Sequence, residues 1–223
     1  MNLDASNTAV LDPPENAPAA NAMSICIAGW YFRKKFFSDI LASGIPAFVV
    51  KHREGDTLGI PSALYENRGL EFGAYREYVQ NHWDRTSDVL FIHDDTEILD
   101  SIVLDQVQTF RAMGVEHCYI FSSAYEELCN GGAHGRAMWI KAETLALLAD
   151  DFPADMDNLG ANGGIVAQKG IFQFHARVLK AGMSTAVAAI VPGFNFGHRG
   201  RMNNNVLVFK RVTSLIPGVV ANA

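Results

Sequence analysis

The sequence predicts an α/β fold in which a mostly parallel central sheet carries helices on both faces. Two observations lead there. Short apolar runs alternate with segments of helical spacing through most of the chain, the pattern of strand–helix–strand units. Glycines close the helical segments, at Gly44, Gly114 and Gly182.

Residues 1–22 are rich in Ala, Asn and Pro and lack periodicity, so they read as a flexible tail, and 23–223 as one domain. Residues 24–29 (SICIAG) are a short apolar run ending in Gly, a buried strand. A helix follows over 32–43, with Phe36, Ile40 and Leu41 at helical spacing, and 46–50 (PAFVV) is the next strand. Residues 70–80 form a helix with Leu70, Ala74 and Tyr78 on one stripe, and 88–92 (DVLFI) a strand ending in His93-Asp94-Asp95. A helix over 101–113, a strand over 116–121, a strand over 137–140 and a helix over 142–149 continue the alternation. The remainder reads as a helix over 171–181, a strand over 185–191, a polar glycine-punctuated loop over 193–201 and a closing strand over 206–212.

A chain of 223 residues with 49% apolar content can bury a sizeable core, roughly 70–75% of its unfolded surface. The net charge of −6 argues against a general nucleic-acid binder, which needs a basic face. Three scattered cysteines, Cys26, Cys118 and Cys129, do not make a disulfide framework. No apolar run reaches transmembrane length, and the first 22 residues hold no Lys, Arg or apolar core of a signal peptide. The expectation is a soluble, cytoplasmic protein.

The stretch richest in chemistry is 89–97 (VLFIHDDTE). Ligands of open α/β sheets bind outside the carboxyl ends of the strands. Adjacent carboxylates there are costly unless a cation or donor groups offset them, and Mg²⁺ or Mn²⁺ would do so while sharing phosphate oxygens with a substrate. The competing reading makes Asp94 or Asp95 the cap of a helix. Asn67 and Gly69 suit a tight turn at a helix start, where backbone N–H groups and Arg68 can meet an anion or a nucleotide; an ordinary helix entry with a solvated Arg reads the same. His198, Arg199 and Arg201 in the late loop suit a diphosphate, or equally a basic surface turn. His52 and Glu54, at another strand end, are placed to meet a base or ribose. His134 lies in the glycine-rich loop 130–135 and Arg136 directly after it, His175 faces the core, and Trp30, Tyr31 and Phe32 belong to the core or the rim.

Read together, residues 67–75 (NRGLEFGAY) and then 89–97 resemble the Asn-x-Gly helix and the strand with its "DxD" motif found in GT-A class nucleotide-sugar glycosyltransferases; the likeness spans about residues 24–200. It implies a GT-A-like sheet, a nucleotide-diphosphate-sugar donor, an unidentified acceptor and a divalent metal. The last acidic position of the motif falls on Asp95, a metal ligand. Asp94 falls near the ribose or sugar, and the family's late metal-binding histidine falls on His198. Residues 130–135 resemble the glycine-rich segment on the acceptor side. Two positions depart from the pattern. His93 replaces the first acidic residue, an imidazole that suits Mn²⁺ better than Mg²⁺. Arg177 to Gly182 fits the family's Arg-x-x-x-x-Gly helix end, but no Glu-Asp pair precedes it near 170–171, so an inverting general base would have to be Asp155 or Asp157; retaining chemistry is the other course. Sugar transfer is the leading expectation. A degenerate nucleotide-sugar-binding module, nucleotidyl transfer and a metal-dependent hydrolase are the alternatives.

Overall fold

The computed structural model describes residues 22–98, 102–112, 114–121, 137–156, 174, 176–178, 180–183, 185–189, 194–196 and 208–212. The expected tail, the loop 130–135, Cys129, His134, Arg136, Asp157, His175, His198, Arg199 and Arg201 lie outside them. In chain order the elements are β1 (Met23–Gly29), α1 (Lys34–Ala42), β2 (Ala47–Lys51), β3 (Ser62–Leu64), α2 (Leu70–Asn81), β4 (Asp88–His93), β5 (Thr96–Ile98), α3 (Ile102–Gln108), β6 (His117–Phe121), β7 (Ala137–Ile140), α4 (Ala142–Leu148), β8 (Thr185–Ala189), β9 (Phe194–Phe196) and β10 (Val208–Val212).

Among the described residues the main sheet has eight strands in the order β10-β8-β6-β7-β4-β1-β2-β3. β3, β2, β1 and β4 pair in parallel, with Ile27 opposite Val49 on one side and Ile92 on the other. The sheet is mixed, which corrects the expectation of a mostly parallel one. β7 lies antiparallel between β4 and β6, and β10 runs antiparallel to β8. Strand direction leaves no mark in a short apolar run: 137–140 (AMWI) is buried at all four positions and reads the same either way.

The expected helices on both faces are present. β1 and β4 are apolar at successive positions because each face meets a separate core. Cys26, Ala28, Val89 and Phe91 join α2, α4 and Phe174, while Ile25, Ile27, Leu90 and Ile92 join α1 and α3. On α1 the buried face is Phe36, Phe37 and Ile40, and Leu41 is half exposed. That helix starts at Lys34, two residues later than the spacing suggests, because Phe32 is held at φ 54°.

At the opposite end of β4, Asp88 ties three elements together. Its carboxylate accepts from Arg111 Nε and Nη2 at 2.9 and 2.7 Å and from the Ala142 N–H at 2.9 Å, at the head of α4.

Candidate functional site

The chain runs outward through β1, β2 and β3, then returns to place β4 on the other side of β1. This reversal opens a crevice at the carboxyl ends of β1 and β4, the usual ligand position in such sheets. His93, Asp94 and Asp95 stand there. Asp94 and Asp95 form a turn between β4 and β5, and α3 begins only at Ile102, so neither carboxylate caps a helix.

Asp94 is fully buried. Its Oδ2 accepts three successive backbone N–H groups, from Trp30, Tyr31 and Phe32, at 2.9, 2.7 and 2.7 Å. The loop leaving β1 is thereby wrapped around one carboxylate oxygen. Two other contacts hold the same loop. The Phe32 ring lies against Gly55, where a Cβ would come within 2.2 Å of it. Arg53 donates to the Trp30 carbonyl and stacks over the Trp30 and Phe32 rings. Trp30 and Tyr31 consequently stand at the rim, 36% and 42% exposed. The role expected of Asp94 was contact with the donor; the contacts observed are with the chain's own backbone.

The other oxygen, Asp94 Oδ1, is buried without a hydrogen-bond partner, as is the hydroxyl of Thr96. His93 Nδ1 lies 3.0 Å from Asp95 Oδ1 and 3.7 Å from Asp94 Oδ1. Burial works to lower the His93 pKa, but the hydrogen bond and charge of Asp95, with Glu71 and Asp94 beyond, raise it overall. Burial pushes the Asp94 carboxyl up despite its N–H donors and the nearby imidazole. The turn thus concentrates negative charge beside the His93 imidazole. An orphaned carboxylate oxygen beside Asp95 is hard-oxygen chemistry that fits a divalent cation. Among the described residues no three His, Cys, Asp or Glu side chains are arranged to hold a metal by themselves, so substrate oxygens, water or residues outside the described set would complete its coordination.

β5 pairs antiparallel with β9, setting Thr96 opposite Phe196. This two-stranded sheet corrects part of the loop expected over 193–201. Arg33 also reaches this place, donating to the Asp95 carbonyl at 3.4 Å and lining a cavity of about 150 Å³ with Lys35 and Thr96. Sequence reasoning missed Arg33; the basic run Arg33-Lys34-Lys35 after β1 was the available signal.

His52 follows β2 and sits between the rings of Trp30 and Tyr65, at 6.4 and 6.2 Å. Its ring nitrogens lie near the backbone of Tyr65 and Leu70 without a well-formed hydrogen bond. Burial holds its pKa below the ordinary value. Glu54 is engaged by Lys51 at 3.1 Å. Asn67 and Arg68 are exposed at the entry to α2, where Gly69 has φ 78°. Gly73 makes this entry possible: a Cβ there would stand 1.9 Å from the Arg68 carbonyl oxygen. Arg68 and Asp155 meet in an open cleft of about 550 Å³ along α2, together with Tyr65, Arg76, Asp151 and Arg177; Asp95 does not line it.

The expected site residues therefore fall into two neighbouring groups. His93, Asp94 and Asp95 gather at the crevice with the aromatic loop and His52, while Arg68 and Asp155 gather along α2. Compared with known proteins, the chain matches no protein-family model and none of the curated proteins.

Proposed function

We propose that this chain transfers a sugar from a nucleotide-diphosphate donor to an acceptor, with Mn²⁺ or Mg²⁺ assisting. The observation that carries this reading is the acidic turn at the carboxyl end of β4, paired through β5 and β9 with the segment leading into the basic loop. Asp95 and Asp94 Oδ1 would hold the cation, with His93 and His198 as further donors. When bound, the ion neutralises charge on the departing diphosphate. Arg33, Arg199 and Arg201 add cationic donors for the same phosphates. Trp30, Tyr31 and His52 border the place for the base and ribose, near Asn67 and Arg68. Asp94 serves as a positioning residue that shapes the loop after β1. Asp155, or Asp157, would accept the proton of an acceptor hydroxyl.

The lack of an acidic pair near 170–171 favours a second reading, a GT-A-like module that binds the sugar nucleotide intact. Cytoplasmic residence goes with either reading, since three scattered cysteines do not make a disulfide framework. Among the described residues no helix is long and apolar enough to cross a membrane.

Calorimetry with UDP and GDP, with and without Mn²⁺, tests the proposal. Metal-dependent binding that Asp95→Ala abolishes, with slow donor hydrolysis, is expected. His198→Ala should weaken the diphosphate more than the nucleoside. Binding without turnover on any acceptor would favour the module, and binding unchanged in Asp95→Ala would overturn the assignment of that residue.

A further inference from the structure

The cleft along α2 is walled by charge of both signs. Arg68, Arg76 and Arg177 supply three guanidiniums, and Glu77, Asp151 and Asp155 three carboxylates. Its volume of about 550 Å³ falls within the roughly 300–1,000 Å³ usual for small-molecule sites. Two of the cations are poorly satisfied within the protein. Arg177 Nη1 is buried with no hydrogen-bond acceptor. Arg76 Nη1 reaches only the Ala154 carbonyl, at a long 3.4 Å. A buried guanidinium nitrogen without an acceptor is costly, and Arg177 is one of the residues that line the cleft. Glu77 lies 3.5 Å from His82, and Asp151 and Asp155 are both exposed at the rim. Carboxylates there accept hydrogen bonds from hydroxyl groups and repel a densely charged anion.

We infer that this cleft binds a polyhydroxylated monocarboxylate of the uronic-acid class, its planar carboxylate on Arg177 and Arg76 and its hydroxyls on Asp151 and Asp155. A guanidinium fork matches a carboxylate in shape as well as charge. The single negative charge satisfies the arginines without confronting the acidic rim, as a phosphate dianion would. Tyr65, whose ring lies 6.2 Å from that of His52, joins this cleft to the region of His52. Identifying the bound sugar acid as the acceptor rests on the transferase reading, whereas its binding does not.

The test uses the full chain, without nucleotide or metal, and three probes: D-glucuronate, D-glucose as its neutral counterpart and inorganic phosphate as the bare anion. Titration by calorimetry, with amide shifts followed by NMR, should show glucuronate binding at least about tenfold tighter than either control, the worth of one strong charge-assisted contact. The shifts should centre on Tyr65, Arg76 and Asp151. Arg177→Gln should abolish the preference for glucuronate over glucose. Arg76→Gln, at a half-exposed position, should weaken glucuronate several-fold while leaving the fold intact, so the inference stays testable if the Arg177 variant is unstable. Equal binding of glucose and glucuronate, phosphate binding as tightly as glucuronate, or a preference that survives both variants would each overturn it. Failure of nucleotide binding at the β4 turn is a separate result and leaves this one standing.

Discussion

Replacing Asp94 tests how the crevice is built. Its Oδ2 takes N–H groups from three consecutive residues at 2.7–2.9 Å. A hydrogen bond to a charged group contributes ~1.5–3 kcal/mol. The three share one acceptor, and burial of the carboxylate, which raises its pKa, offsets part of the gain. The N–H groups of the half-exposed loop also recover some hydration in the variant. A net loss of about 2–4 kcal/mol is therefore expected for Asp94→Ala, or roughly 4–16 °C in melting temperature for a chain of this size. Asp94→Asn keeps an acceptor oxygen for the loop and should cost about 1 kcal/mol. Urea denaturation measures both, and hydrogen exchange at the amides of Trp30, Tyr31 and Phe32 locates the effect. If the Ala variant loses less than about 0.5 kcal/mol and these amides exchange as before, the carboxylate does not organise the loop.

Other substitutions probe other joints. Gly73→Ala forces a Cβ to within 1.9 Å of a carbonyl oxygen at the head of α2 and should cost about 2–3 kcal/mol in urea denaturation; a neutral result would mean the turn at Arg68 re-forms freely. Asp88→Ala leaves Arg111 and the Ala142 N–H without their shared acceptor and should cost about 3–5 kcal/mol, unfolding sooner than Glu143→Ala, which removes only the exposed partner of Arg111. His93 has its pKa raised in the folded chain. The stability it contributes is complete below its ordinary value of about 6.5 and is lost as pH rises through the folded value. The stability difference between the native chain and His93→Gln should therefore shrink as pH rises above the ordinary value of about 6.5, and a constant or growing difference would show that His93 is not held by Asp95.

The sequence by itself determined which segments become strands and helices, and where the acidic turn lies. Buried strands are short apolar runs and helices repeat at helical spacing, so β1, β2, β4, β6, β7 and α2 fall within a residue or two of expectation. Position at the end of β4 was legible for the same reason. Only tertiary structure decided the direction of β7, since a strand covered on both faces carries no directional pattern. Only tertiary structure gave Asp94 the backbone of the loop after β1, 62–64 residues away in sequence, as its partner. The same holds for β9 against β5 and for Arg177 in one cleft with Arg68. These are contacts between distant segments, made by side chains and backbone groups that have no periodicity, and local preference cannot encode them.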